Sequence, residues 1–460
     1  MSASRSPGHN GPVPHTRIDP DPEGVRAALL TPRGRALVDA LTPYDPTRAM
    51  SAIEEARRHP EWTRHPEVVA AAATQARLRT RAAARFPGPP RWWTADGLEQ
   101  ATRPVVAARH AARFTAAGVH SVADLGCGVG SDALAMAAAG LAVTAVDRDP
   151  EALWALAATA LDRGLAVTGL LGDATSLTQW WNDPQTAPGA PGAARGCFVD
   201  PARRSGSGRV SHPEDWSPPW SWVRALAVRV PATGAKVAPG IDHDRIPPEA
   251  QVEWTSVGGD LVEAGTWWGP LRQGPARRQA TVLPGTPGTD SAQPPAHLDD
   301  AAGVPAPRVG PVTGWLVEPD AAVIRAGLVS VLAEQVGGHL VDPRIAYIMS
   351  DRRPEPGALG ATFAVVDQVP VARRAMRAWL RAQGYGDVVV KKRGINVVPE
   401  QLRAELHLRG GGPTATLVLT RTDAGPLALL VERVGSSGPA GRQSGQRRGE
   451  EAPGQPGPLP

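Results

Sequence analysis

The chain has 460 residues, 49 lysines and arginines against 45 acids for a formal net charge of +4, and two cysteines, Cys127 and Cys197. That length suggests two or three domains with room for a sizeable core, and two cysteines exclude a disulfide framework. No apolar run reaches the ~18 residues of a membrane span and "MSASRSPGHNGPVPH" lacks the apolar centre of a secretory signal, so neither a membrane segment nor a metal site is expected and the expected compartment is the cytoplasm.

Residues 1–20 are rich in proline, glycine and serine, carry too little apolar surface to fold, and read as a disordered tail. Residues 21–115 read as a helical region. "DPTRAMSAIEEARRHP" opens with Asp45 as N-cap and Pro46 at the first helical position, and "HPEVVAAAATQARLRTRAAARF" is alanine-rich and strongly helical. "LEQATRPVVAARHAARF" then leads to the first strand. Its basic side chains are either a solvated face or the lining of a route for a polyanion.

Residues 116–283 hold the chemistry. Val122–Leu125 is a short buried strand, Gly126–Gly130 a tight turn, and Ser131 a cap for a helix over about Asp132–Ala139. A second strand, Leu141–Val146, delivers Asp147 to its carboxyl end, about 20 residues after the first glycines, where an acid can take a ribose diol. A dinucleotide site asks for G-x-G-x-x-G, whereas Gly126, Gly128 and Gly130 are spaced G-x-G-x-G. Cys127, inside the turn, reads as a small filler rather than a nucleophile. Asp149 and Pro150 open a helix to Gly164, and a third strand, Ala166–Leu171, ends in "GDA", Gly172 to Ala174. After the insertion "DPQTAPGAPGAARG", the strand "GCFVDPARR" ends in Asp200 and Pro201. Arg203 and Arg204 follow; a guanidinium there either stacks on a base and grips a phosphate or pairs with acids and solvent. Trp216, Trp220 and Trp222 in "HPEDWSPPWSW" either stack a base or bury a loop. "GAKVAP" supplies a fifth strand, and "VEWTSVGGD" with "RRQATVL" a closing strand pair.

Residues 284–310 read as a linker and 436–460 as a second tail. Between them, residues 311–435 read as a separate α+β unit: a helix in "EPDAAVIRAGLVSVLAEQVGG", a strand in "ATFAVVDQV", a basic helix ending at Gly384, the strand "DVVVKKRG", a helix in "VPEQLRAELHLRG" and a closing hairpin. Residues 371–410 hold nine lysines and arginines against three acids, a local +6 in a chain whose total is +4. Such concentration suits either a solvated basic helix or a surface that docks on phosphates, with Lys391, Lys392 and Arg393 as contacts.

The Asp124-to-Gly130 spacing resembles motif I of class I S-adenosylmethionine (SAM) methyltransferases. Taken with "VDPARR", "EDWSPPWSW", "GWLVEPDAAVIRAGL", "DPRIAYIMSD", "KKRGINVVPEQLR" and "ATLVLTR", the chain over about residues 25–435 resembles the actinobacterial class I SAM-dependent methyltransferases with a C-terminal THUMP-like domain. The resemblance implies an α/β fold: a Rossmann-like methyltransferase sheet with a seventh, antiparallel strand, preceded by the helical region and followed by a small α+β THUMP-like domain. It implies SAM as cofactor, held by Asp124, Gly126, Gly128, Gly130, Asp147, Asp173 and Ala174, with Asp173 accepting from the adenine amino group. It implies RNA as partner, with Arg204, Trp216, Lys391, Lys392 and Arg393 as contacts and Asp200, Pro201 and Arg203 at the chemistry. Enzymes of this kind that methylate an exocyclic base amine carry D/N-P-P followed by an aromatic; here Ala202 and Arg203 stand in place of the second proline and the ring. Four readings therefore stand side by side: an RNA base methyltransferase, a methyltransferase for a protein or small molecule, a nicotinamide oxidoreductase, and a SAM-binding RNA module without catalysis.

Overall fold

Proline at the first helical position opens three of the six N-terminal helices, because its fixed φ suits that position and its missing N–H would have no partner there. In a computed structural model, which describes residues 24–176, 195–202, 212–285, 294–408 and 410–434 and backbone alone at 16–17, 204–205 and 208–209, these helices are α1 (Val25–Leu30), α2 (Pro32–Ala40), α3 (Ala49–Arg58), α4 (Pro66–Ala82), α5 (Ala95–Gln100) and α6 (Pro104–Ala116). Thr31 and Thr94 cap α2 and α5, each accepting from an N–H three residues on, at Gly34 and Gly97. Asp45 does not cap α3. Its carboxylate accepts from the Thr47 amide and hydroxyl, closing a turn that delays the helix to Ala49.

The first sheet is built from β1 (Ser121–Leu125), β2 (Ala142–Asp147), β3 (Val167–Leu171), β4 (Arg195–Val199), β5 (Ala232–Val237), β6 (Gln251–Val257), β7 (Asp260–Trp267), β8 (Arg278–Leu283) and β9 (Ala296–Asp299). Their spatial order is β3-β2-β1-β4-β5-β7-β6-β8-β9, with Thr16–Arg17 paired outside β3. The strands from β3 to β5 are parallel, and β7 runs antiparallel between β5 and β6. The antiparallel partner in the closing pair is thus Asp260–Trp267; "RRQATVL" lies outside it as β8, parallel to β6.

Side chains alternate across this sheet. In β4, Phe198 joins Phe114 of α6 and Trp267 of β7 in a cluster covered by α6, α7 (Ser131–Ala138) and α8 (Pro150–Asp162). Cys197 and Val199 face the other way, towards α9 (Trp220–Arg229), α10 (Ala321–Arg325) and α11 (Val329–Gln335). A bulge between Leu261 and Glu263 turns β7 so that Leu261 packs on the α9 side while Glu263 points beneath α6.

Two boundaries differ from the sequence reading. Within 284–310, Ala296–Asp299 is a strand on β8, its backbone pairing where side chains offered no apolar pattern. "EPDAAVIRAGLVSVLAEQVGG" is two helices rather than one, α10 and α11, because Gly327 takes φ +70° between them. Both bury against the first sheet: Val317, Ala322, Val323, Leu328 and Leu332 share one core with Val252, Trp254 and Ala264. The break placed at 311 is therefore a change of sheet without a break in packing.

The second sheet contains β10 (Trp315–Pro319), β11 (His339–Leu340), β12 (Ile348–Ser350), β13 (Gly360–Gln368), β14 (Asp387–Lys392), β15 (Thr414–Thr422) and β16 (Gly425–Arg433), in the order β11-β12-β10-β13-β16-β15-β14. Only β14 and β15 pair in parallel. The helices α12 (Arg373–Ala382) and α13 (Pro399–Leu406) cover one face through Met376, Leu380, Leu402 and Leu406. Among the described residues, no helix is long and apolar enough to cross a membrane. The tail 436–460, residues 177–194 within the third-to-fourth-strand connection, Arg203, the Arg204 side chain and Arg409 lie outside the described residues.

Candidate active site

The glycine turn is left-handed at Gly126, Gly128 and Gly130, with φ of +80°, +54° and +73°. Each has a different neighbour. A Cβ on Gly126 would lie 2.6 Å from the Asp200 carbonyl oxygen, so the turn is pressed against the end of β4. A Cβ on Gly130 would strike the Leu156 side chain at 2.1 Å; this glycine lets α7 close on α8 and does not line the cavity. Nothing lies within 4 Å of the Gly128 position, and its amide donates to Asp147 Oδ2 at 2.7 Å. Gly130, rather than Ser131, occupies the N-cap of α7, and Ser131 instead accepts from Arg91.

The turn forms one wall of a cavity of ≈ 430 Å³ at the carboxyl ends of β1, β2, β4 and β5. Asp147, Asp173 and Ala174 line it on one side, Asp200 and Pro201 on another, and Thr94, Gly97, Thr102 and Arg103 of the N-terminal helical region close it. Asp147 Oδ1 accepts from the Asp149 amide at 2.9 Å, so both its oxygens are aimed by backbone. Asp173 Oδ1 accepts from the Thr175 amide and hydroxyl. Burial works to raise its pKa, but those bonds and the Arg148 charge outweigh it and leave the carboxyl below its usual range. Arg148 spans from Asp173 Oδ2 (3.3 Å) to Ser217 Oγ (2.6 Å). Ser217 in turn pairs by backbone with Ala202, holding the segment of Trp216 and Trp220 to the residues that follow Asp200 and Pro201. Burial beside Asp124 and Asp147 raises the Cys127 thiol well above its ordinary pKa, which agrees with a filler.

Thr102, Asp132, Lys236 and Glu263 of the cavity wall belong to a hydrogen-bonded chain of polar groups that the sequence reading did not anticipate. Glu263 Oε1 and Asp132 Oδ1 meet the two ring nitrogens of His110 at 2.7 and 2.8 Å. Thr102 donates its hydroxyl to Asp132 Oδ2 at 2.6 Å and accepts from Lys236 Nζ at 3.0 Å, and Lys236 also donates to Asp200 Oδ2 at 2.9 Å. Burial opposes the charge on His110, but Glu263 and Asp132 outweigh it and lift its pKa to about 10. Burial likewise opposes the Lys236 charge, and Asp200, Glu263 and Asp132 together hold it above the usual lysine range. One signal was present in the sequence: Lys236, Lys391 and Lys392 are the only lysines in a chain otherwise furnished with arginine. A compact ammonium fits where a planar guanidinium does not.

Several expected site residues lie elsewhere. Asp124 shares the α7 side of β1, is 1 % exposed and does not line the cavity; burial, with Asp132, Asp200 and Asp147 nearby, raises its pKa well above normal, and its Oδ2 has no partner among the described residues. Trp216 is 3 % exposed and packs edge-on against Trp220 at 6.4 Å, because its indole is worth more in the α9 core than at the cavity mouth. Lys391 and Arg393 are held by Glu318 at 2.6 and 3.5 Å, and lie over the rings of Phe363 and Tyr347. Lys392 is exposed. On α6, Arg109 and Arg113 turn inward to share Glu253, so these basic residues dock the helix on β6.

The methyltransferase domain family matches residues 122–185, the THUMP domain-like family residues 360–433, and a domain of unknown function residues 23–82. An uncharacterized S-adenosylmethionine-dependent methyltransferase of Mycobacterium tuberculosis, recorded for two strains, is 32% identical over 370 residues, which covers 78% of this chain and 94% of the relative. A crystal structure from Porphyromonas gingivalis W83, described as a methyltransferase, superposes with a TM-score of 0.63 at 19% identity over 85% of this chain and 99% of that one, and so shares the fold. With a methyltransferase sheet order, a glycine turn ending on Asp147 and a relative matched along nearly its whole length, the chain belongs to the S-adenosylmethionine-dependent methyltransferases, with SAM as its cofactor and a THUMP-like domain at its C-terminus.

Proposed function

We propose that the enzyme methylates a base nitrogen of RNA, with the THUMP-like domain docking the phosphate backbone and the cavity admitting the base. The observation that carries this reading is a separation of charge. The cavity is lined by eight acids against four arginines and lysines, which suits a cationic cofactor and repels a phosphate. On the THUMP-like domain, α12 presents Arg374, Arg377 and Arg381 at three- and four-residue spacing on one face, Arg374 and Arg381 exposed and Arg381 also donating to the His407 carbonyl.

The residues present fit SAM: Gly128 leaves open space where a side chain would stand, and Asp147, its oxygens held by the Gly128 and Asp149 amides, keeps lone pairs for a ribose diol. Gly126 and Gly128 would face the amino acid end, with Asp173 and Ala174 at the adenine end. Bound SAM supplies a methyl group on a sulfonium, whose leaving group is a neutral thioether. Asp200 lines the cavity with one oxygen on Lys236. Its second oxygen accepts from the acceptor N–H and orients the nitrogen lone pair in line with the methyl carbon. As the N–C bond forms, positive charge on the nitrogen makes its proton strongly acidic, so a carboxylate suffices to receive it. Positioning and exclusion of water then carry most of the rate. Pro201 stiffens the backbone behind Asp200.

The test is a fluorescence titration of bulk tRNA and ribosomal RNA fragments at several salt concentrations, with the parent and with Arg374, Arg377 and Arg381 all changed to Gln. The variant should bind all sequences more weakly, and the slope of log affinity on log salt should flatten by about 0.7–0.9 for each phosphate no longer neutralised. A parent that binds no RNA at low salt, or a variant with unchanged affinity and slope, rejects the docking reading.

A further inference from the structure

Asp200 does not meet the acceptor alone. Its Oδ2 receives the Lys236 ammonium at 2.9 Å, and Lys236 is 6 % exposed, at the α6–α7 side of the carboxyl end of β5. Every element packed around that ammonium contributes a polar or charged group: Asp200 from β4, Asp132 from α7, Glu263 from β7, His110 from α6, and Thr102 from the connection between α5 and α6. Asp124 of β1 also lies within its field. The bulge in β7 and the helical N-terminal region both contribute to this hydrogen-bonded chain, which runs from Glu263 through His110, Asp132, Thr102 and Lys236 to Asp200.

We propose that Lys236 is a positioning residue for methyl transfer: its ammonium pins one oxygen of the Asp200 carboxylate and keeps that group ionised, so that the other oxygen is presented to the acceptor N–H, while Thr102 aims Lys236 from the N-terminal region. This rests on the role given to Asp200 above. Asp124, Asp132 and Glu263 stand around the same ammonium, so Lys236 supplies the opposite charge that Asp200 meets by a direct hydrogen bond, and only a carboxylate that carries no proton can receive the one the acceptor gives up. Burial in the same place makes the single ammonium–carboxylate bond strongly directional. The retention of a lysine here, in a chain with two others, follows from that geometry, since a guanidinium presents a planar fork rather than one compact charge.

The test uses the full chain with Lys236→Ala and Lys236→Arg, tritiated SAM and unmodified total tRNA and ribosomal RNA transcripts as acceptors. In Lys236→Ala, turnover should fall about 100-fold with SAM affinity within about threefold of the parent, and the acid limb of the kcat profile should move to higher pH. Methylammonium should restore about tenfold of the loss, and sodium chloride at equal ionic strength none. Lys236→Arg keeps the charge and guards against misfolding of the alanine variant. It should lose turnover with the acid limb in place. Loss of turnover with no shift of the acid limb and no rescue, or full activity in both variants, would overturn the proposal. A second readout needs no acceptor. With three lysines in the chain, ¹⁵N-lysine spectra resolve Lys236, whose ammonium should titrate at lower pH in Asp200→Asn than in the parent. If no RNA is methylated by the parent, the acceptor assignment fails while this arm still decides: an unchanged Lys236 signal rejects the pinning, and a shifted one sustains it.

Discussion

Lys236, His110, Asp132 and Glu263 at the cavity are each less than a tenth exposed, and every one of them has a hydrogen-bonded ionic or polar partner. On the THUMP-like domain, Arg373–Glu405 and Arg403–Asp387 pair in solvent, with both arginines more than half exposed. Equal charges thus do unequal things. Removing one partner from the buried set leaves another charge stranded without water, whereas the exposed pairs are screened and can be exchanged for a phosphate at little cost. The cavity end holds its charges in buried pairs, and the C-terminal domain holds Arg373 and Arg403 in exposed ones.

The sharpest way to break this comparison is His110→Leu. It strands Asp132 and Glu263 together, and should destabilise the fold by about 3–5 kcal/mol in denaturant titration. The same group sets a pH dependence. Its folded pKa, about 10, lies above the ordinary value of 6.5, so its stabilisation is fully present below pH 6.5 and is lost as pH rises towards 10. Thermal melts across that window should fall in the parent more steeply than in His110→Leu. A variant as stable as the parent would show that the buried network does not hold the catalytic end together.

At the cofactor end, Asp147→Ala takes away the carboxylate that anchors the Gly128 amide and is assigned to the ribose. SAM binding by calorimetry should weaken by about 1.5–3 kcal/mol for each charged hydrogen bond removed, with unfolding little changed. Unaltered affinity would move the ribose away from Asp147. Smallest of all should be the effect of changing Lys391 and Arg393 to Gln. Glu318 already holds both, so RNA affinity should change far less than with the α12 variant. A larger loss there than on α12 would relocate the docking surface to β14.

Much of the catalytic half was legible because its signals are local. The turn glycines, Asp147 at a strand end, and Asp149–Pro150 opening α8 each lie within a few residues of what they shape. The network that reaches Asp200 was not, since Thr102 and His110, Asp132, Lys236 and Glu263 come from four separated segments and each alone looks like an ordinary polar residue. Only the bulge at Leu261–Glu263 turns Glu263 towards His110, and a one-residue irregularity leaves no mark in an apolar pattern. Trp216 misled for a related reason: a tryptophan beside prolines suits a flap as well as a core, and the choice is made by α9 packing beneath it. The count of basic residues in 371–410 located the charge but not its engagement, which depends on Glu318 from a distant strand.

Methylation of an RNA base at Asp200 is met head-on by measuring transfer of tritiated methyl from SAM into unmodified total tRNA and ribosomal RNA, with the parent and Asp200→Ala, followed by mass spectrometry of the nucleosides. A base-methylated nucleoside is expected with the parent, and a loss of about 100-fold or more in Asp200→Ala at unchanged SAM affinity. A parent that binds SAM yet labels no RNA would contradict the RNA assignment, and an Asp200→Ala enzyme as active as the parent would contradict the role given to Asp200.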